Sequence, residues 1–268
     1  MTTGTETEQG ETPLVGGGRT AVWRHGDVVL RASGPWSATV LALLRHLEAS
    51  AFAAAPRVVG SGFYRCGRET VSFVEGDFVH PGPWPDEALP VIGGMLRHLH
   101  DTAALFELPH DACWRRWFGR DLGRTPRVLG HCDTGPWNIV ACAGRPLALI
   151  DWEEAGPVDP MVELAQACWL NAQLHDDDVA ERVGLPAAEH RARQMRLLLD
   201  GYGVAQAARV GFVDAMVAFA VHNAADQARQ ARVTPESTNA EPLWAVTWRT
   251  LSASWMLRNR RILERALA

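Results

Sequence analysis

The sequence contains no lysine: all 26 residues of its Lys+Arg total are arginine. Chemistry that needs an amine side chain is thereby excluded. The chain cannot form a Schiff base on lysine, anchor pyridoxal phosphate that way, or carry a G-x-x-x-x-G-K-[ST] phosphate loop. Paired cysteines are also missing, since Cys66, Cys113, Cys132, Cys142 and Cys168 stand singly with no C-x-x-C between them. Such scatter argues against a disulfide framework and a structural zinc site, and fits a reducing compartment. There is no basic excess; a net charge of -5 disfavours a nucleic-acid partner. No stretch approaches the ~18 uncharged apolar residues of a membrane span. The richest, residues 212–225, is interrupted by Asp214 and His222. The first dozen residues have no basic start followed by an apolar run, so they read as a disordered tail and not a leader. A cytoplasmic protein with no membrane partner is expected.

What is present is an ordinary globular composition, 47% apolar and 21% charged over 268 residues, enough for one large core or two modest ones. Residues 21–24 and 28–31 are short runs joined at His25, Gly26 and Asp27, which reads as a hairpin. Ser37 stands where it can cap a helix whose apolar stripe is Val40, Leu41, Leu44 and Leu47. Two further runs, 57–59 and 70–74, flank a polar turn. Glu75, Gly76 and Asp77 and the proline-rich 80–85 then interrupt the pattern and predict a boundary between two lobes. Beyond it the period is helical: Asp86 opens a helix carrying Leu89, Ile92, Leu96 and Leu99. Strands return near Val128, at 139–142 and at 147–150, followed by helices near 160–173, 187–202, 213–229 and 243–267. The expected division is a tail over 1–13, a lobe over 14–76 and a lobe over 77–268.

Chemistry concentrates in residues 128–165. His131, Cys132 and Asp133 are followed by Asn138 on one irregular loop, and Asp151 ends a hydrophobic strand 13 residues later. A hairpin between them folds back on itself, so the loop entering it and the residue leaving it come together. Carboxylate and amide oxygens are the ligands Mg²⁺ prefers, with water and substrate phosphates completing its shell. A carboxylate left free of the metal accepts a proton from an attacking hydroxyl.

H-x-D-x-x-x-x-N followed by a strand ending in I-D-W resembles the aminoglycoside phosphotransferase and choline kinase-like family, small-molecule relatives of protein kinases. The likeness extends through Gly156-Pro157-Val158-Asp159-Pro160 and Glu163-Leu164-Ala165, and back to Leu96-Arg97-His98-Leu99-His100-Asp101. The resemblance implies an α+β, two-lobed protein-kinase-like fold, with a small β-rich N-terminal lobe and a larger, mainly helical C-terminal lobe. It implies Mg²⁺-dependent transfer of the γ-phosphoryl of ATP or GTP to a hydroxyl of a small molecule, an aminoglycoside-like antibiotic or another natural product. Asp133 would be the catalytic base, Asn138 and Asp151 the metal ligands, and His131 a structural fastening of the loop. Gly16, Gly17, Gly18, Arg31 and Glu75 would contact the nucleotide.

Three departures from the family pattern stand out. Cys132 replaces the glycine of H-G-D, and Glu163 replaces an aspartate. Arg31 holds the place of the strand lysine, and no glutamate occupies the middle of the following helix, so the lysine–glutamate pair is expected to be missing. The arginine at position 31 motivates an alternative reading, a catalytically silent nucleotide- or metabolite-binding protein. The glycine run with Ala21 also fits a weak G-x-G-x-x-A dinucleotide fingerprint, but lacks the preceding strand and following helix. His98 and His100 read as ordinary packing or surface histidines, Asp159 with Pro160 as a helix cap, and the tryptophans as core, apart from Trp137 inside the loop. Glu153, Glu154 and the run Asp176, Asp177 and Asp178 read either as solvated surface or as an acidic rim for a cationic acceptor.

Overall fold

The structure is a computed structural model and describes residues 10–14, 21–124 and 127–268. Its N-terminal part is a five-stranded antiparallel sheet of β1 (Thr12–Pro13), β2 (Val22–His25), β3 (Val28–Arg31), β4 (Val58–Phe63) and β5 (Glu69–Ser72), in the order β1-β2-β3-β5-β4. The hairpin forms in register, with His25 opposite Val28 and Val22 opposite Arg31. Between β3 and β4 lies α1 (Ser37–Ala49), whose Val40, Leu41, Leu44 and Leu47 are buried at helical spacing. Ser37 does not cap it. Trp36 holds the N-cap position without a side-chain bond, while the Ser37 hydroxyl accepts from the Gly34 amide and donates to Glu69. The serine is drawn into a buried polar cluster instead of the helix terminus.

The remainder is mainly helical. α2 (Ala88–Ala103) buries Leu89, Ile92, Leu96 and Leu99 completely. Short strands follow: β6 (Val128–Gly130), β7 (Ile139–Cys142), β8 (Arg145–Leu149) and β9 (Gly156–Val158), pairing as β6-β9 and β7-β8. Next come α3 (Pro160–Asn171), α4 (Asp177–Val183), α5 (Ala188–Tyr202), α6 (Phe212–Gln230), α7 (Ala240–Arg258) and α8 (Arg260–Leu267). One C-terminal helix is expected from sequence, but Asn259 ends α7 and starts α8. The acidic run is not a plain connection: Asp176 caps α4 by accepting from Asp178 N–H. No described helix is long and apolar enough to cross a membrane.

Two glycines set the packing of α2 on α5. A Cβ at Gly93 would lie 2.0 Å from the Leu198 carbonyl oxygen, and one at Gly201 would lie 2.2 Å from that of Pro90. Only glycine on both sides lets the backbones touch this closely. That contact carries Tyr202, at the end of α5, against His100 on α2.

Candidate active site

The β7-β8 hairpin performs the juxtaposition its sequence suggests. Ile139 pairs with Leu149, and Ile150 N–H donates to the Asn138 carbonyl at 2.9 Å, so Asp151 leaves the hairpin beside the loop that enters it. Asp133, Asn138 and Asp151 line one cavity of about 230 Å³. The Asn138 amide donates to the Asp133 carbonyl at 3.0 Å, closing the loop and leaving the Asn138 side-chain oxygen as a candidate ligand. Asp151 sits in the left-handed region, φ 64°, which turns its carboxylate off the strand line; the side chain is 44% exposed.

The loop carrying Asp133 is held from below by α3. Glu163 accepts from Cys132 N–H at 2.6 Å, Gln166 accepts from Thr134 N–H at 3.1 Å, and Asn171 donates to the Thr134 carbonyl at 2.8 Å. Positions 163, 166 and 171 all belong to α3, so one rigid element fixes three backbone groups of residues 132 and 134, on either side of Asp133. Polar residues recurring at that spacing in an otherwise apolar helix are a signal visible in sequence. His131 adds a fourth anchor: its Nε2–H donates to the Ile150 carbonyl at 2.9 Å, and its Nδ1 accepts from Asp133 N–H at 3.3 Å. Burial holds its pKa below the usual histidine value, against the pull of Glu163 and Asp151.

His100 does more than pack. Its Nε2 meets the Glu163 carboxylate in the interior, and its Nδ1 meets the hydroxyl of half-buried Tyr202 at 2.8 Å. Burial pushes the Glu163 pKa up, but His100 and the Cys132 N–H outweigh it and keep the carboxyl below its ordinary value. The longer side chain of Glu163 fits because Gly130 is opposite, where a Cβ would come within 2.3 Å of its Oε2. Cys132 takes φ 65°, a conformation natural to glycine, with its side chain fully buried.

Arg31 is the largest departure from expectation. Far from lacking a glutamate partner, its guanidinium meets three carboxylates: Asp151 at 2.8 Å, Glu153 at 2.8 Å and Glu69 at 3.3 Å. None comes from α1, whose Glu48 approaches Arg57. Burial opposes the charge on Arg31, but the three carboxylates together outweigh that and raise its pKa. The partner on β5 is brought by strand pairing, Arg31 lying opposite Glu69, and only the sheet order reveals it. Exposed Glu75 pairs with Arg24 at 2.7 Å and does not line the cavity. Gly16, Gly17 and Gly18 lie outside the described residues.

The acidic-rim reading divides. Asp176 pairs with Arg258 at 2.7 Å, Asp177 accepts from the Trp255 indole at 2.8 Å, and neither lines the cavity. Glu153 and Glu154 do line it, yet Glu153 is taken by Arg31 and Arg115. Trp137 lines it as expected, and so do Trp117, Trp169 and Trp248, which sequence places in the core by default. Phe118 and Phe219 join them, with Trp169 and Trp248 stacked at 5.3 Å between ring centres. The cavity thus runs from the carboxylates to an aromatic wall.

No group of three or more His, Cys, Asp or Glu among the described residues is arranged to hold a metal ion. The donor set is one amide oxygen and one carboxylate, which fits Mg²⁺ held partly by substrate phosphates and not a closed protein site.

Residues 40–206 match the profile of the phosphotransferase enzyme family. A trifolitoxin immunity protein from Rhizobium leguminosarum bv. trifolii is 65% identical over 258 residues, 96% of this chain and 99% of the relative. Among solved structures, a choline/ethanolamine kinase family protein from Mesorhizobium loti superposes with a TM-score of 0.61 at 17% identity, covering 96% of this chain and 90% of the other. A microcompartment-associated aminopropanol kinase gives 0.62 at 13% identity, covering 96% and 94%. The fold of the chain is therefore the two-lobed, protein-kinase-like one.

Proposed function

The chain belongs to the phosphotransferase enzyme family and is a small-molecule phosphotransferase, and we propose that it moves the γ-phosphoryl of ATP or GTP to a hydroxyl of a toxin or other natural product. The observation that carries this reading is Asp133, Asn138 and Asp151 lining one cavity. Asp133 would accept the proton of the acceptor hydroxyl as its oxygen bonds to the γ-phosphorus and the bond to the bridging oxygen breaks, releasing the nucleoside diphosphate. Asn138 and Asp151 would hold Mg²⁺, which when bound neutralises phosphate oxygens. The 14–76 lobe, with Arg31, would serve the nucleotide, and the 77–268 lobe the catalytic loop and acceptor. The relative's name suggests the acceptor, a toxin whose phosphorylation would confer immunity. Incubation with Mg²⁺-ATP and trifolitoxin, followed by mass spectrometry, tests it. A toxin that gains one phosphoryl group with wild type and none with Asp133→Asn supports the proposal; an unmodified toxin overturns that acceptor.

One observation favours a second reading, binding without catalysis. Arg31 is engaged by three carboxylates, which leaves less of its charge for phosphate oxygens. Protection from the toxin that persists in Asp133→Asn, with no turnover of ATP by wild type, would select this alternative.

A further inference from the structure

Glu153 and Glu154 are adjacent and both line the cavity, but their ionic contacts differ. Both oxygens of Glu153 meet guanidiniums, those of Arg31 and Arg115. Glu154 Oε1 only approaches Arg115, at 3.5 Å, and Oε2 is buried with no hydrogen-bond partner among the described residues. A second group lining the cavity is unmatched in the opposite sense: the indole N–H of fully buried Trp169 has no acceptor among the described residues. Buried polar atoms left unpaired are costly, and native sites keep them where something else completes them. By contrast Asp226, also on the cavity, already accepts from Gln230 at 2.7 Å.

We propose that Glu154 is a specificity-determining residue, accepting a hydrogen bond from a donor group of the acceptor other than the hydroxyl that reacts. The proposal rests on the phosphotransferase reading, since it takes the Asp133 end of the cavity as the acceptor's place. Burial, with Glu153 and Asp133 adding repulsion against the opposing pull of Arg115 and Arg120, brings the Glu154 pKa up to about 7. A donor from the ligand supplies what these surroundings withhold, favouring the ionised form. The donor is an ammonium or a second hydroxyl; both offer the same hydrogen to Oε2.

Three probes separate these sources: ethanolamine with a charged donor, ethylene glycol with a neutral one, and 2-methoxyethanol with none beyond its single hydroxyl. Their Kd values are measured by ligand-observed NMR on the full chain with Mg²⁺-ADP, for wild type, Glu154→Gln, Glu154→Asp and Asp226→Asn. At least one donor probe should bind wild type about tenfold tighter than 2-methoxyethanol, an advantage worth about 1.4 kcal/mol. Ethanolamine leading identifies an ammonium, and ethylene glycol leading a hydroxyl. Glu154→Gln should lose the advantage, Glu154→Asp should keep part of it, and Asp226→Asn should keep all of it. Circular dichroism checks that each variant is folded, and Glu154→Asp carries the test if Glu154→Gln is not. Equal affinities in wild type, no binding of either donor probe, an advantage surviving in Glu154→Gln, or one lost in Asp226→Asn each overturn the proposal. Binding is measured with ADP, which has no γ-phosphoryl to give, so it stands apart from turnover: a toxin left unmodified by Mg²⁺-ATP would overturn the proposed acceptor and leave Glu154 in its role.

Discussion

Arg31 Nη1 lies 2.8 Å from Asp151 Oδ1, so the residue in the place of the nucleotide lysine and the candidate metal ligand are directly paired across the two lobes. The same guanidinium reaches Glu153 and Glu69, and its side chain is only 10% exposed. A planar fork can meet three carboxylates at once, whereas a lysine ammonium on a flexible stem is a single point charge.

Arg31→Ala should therefore lower both stability and nucleotide use. Removing one partner from a buried ionic cluster leaves carboxylates unpaired and costs about 3–5 kcal/mol. Arg31→Lys should fall between alanine and wild type. Urea unfolding and the KM for ATP of the three proteins check this; an Arg31→Ala protein equal to wild type in both would remove Arg31 from the site.

Asp133→Asn is expected to lower kcat by about 10²–10⁴-fold with nucleotide affinity nearly intact, the usual size of a general-base contribution. The side chain keeps its shape and loses its proton acceptor. Retention of more than half the turnover would rule out the base assignment.

Asp151→Asn should raise the Mg²⁺ concentration needed for half-maximal activity, because a neutral amide replaces one of few hard anionic ligands. Calorimetric titration of ATP with and without Mg²⁺ separates this from a general loss of folding. Unchanged Mg²⁺-ATP affinity would move Asp151 out of the metal role.

Glu163→Ala should act at a distance. His100 and the Cys132 N–H lose their shared acceptor, an arrangement worth several kcal/mol, on the order of 2–4 for two buried donors. Misplacing Asp133 should lower kcat more than it raises the KM for ATP, and Glu163→Gln should restore part of the loss. A fall in stability with kcat unchanged would show that the network does not position the loop.

Glu154 makes stability depend on pH. Its folded pKa of about 7 exceeds the unfolded carboxyl value of 4.5, so the native state binds the proton more tightly. This contribution is full below pH 4.5 and is lost as pH rises through 7, about 3 kcal/mol by linkage. Chemical denaturation at pH 5 and pH 8 should show wild type losing more stability than Glu154→Gln; parallel losses would contradict the raised pKa.

The sequence by itself determined the local parts of this protein. The absence of lysine excluded whole classes of chemistry, the period of Leu89, Ile92, Leu96 and Leu99 marked a buried helix face, and Asp159 before Pro160 marked a cap, which accepts from Met161 N–H. The short loop and hairpin between Asp133 and Asp151 were legible because chain geometry alone forces their ends together. Such features depend on contacts a few residues apart, where sequence spacing is distance.

What only the tertiary structure decided involves partners far apart in the chain. Glu69 and Glu153 reach Arg31 from 38 and 122 residues away, one through sheet order and one through the approach of two lobes. His100 became part of the support of the loop carrying Asp133 because Gly93 and Gly201 let α2 and α5 touch, bringing Tyr202 to one side and α3 to the other. Whether Glu153 and Glu154 are surface or site is likewise undecidable from a pair of identical neighbours. Arg31 and Arg115 pair with one carboxylate and leave an oxygen of the other unmatched among the described residues, because burial removes the water that would otherwise make the two equivalent.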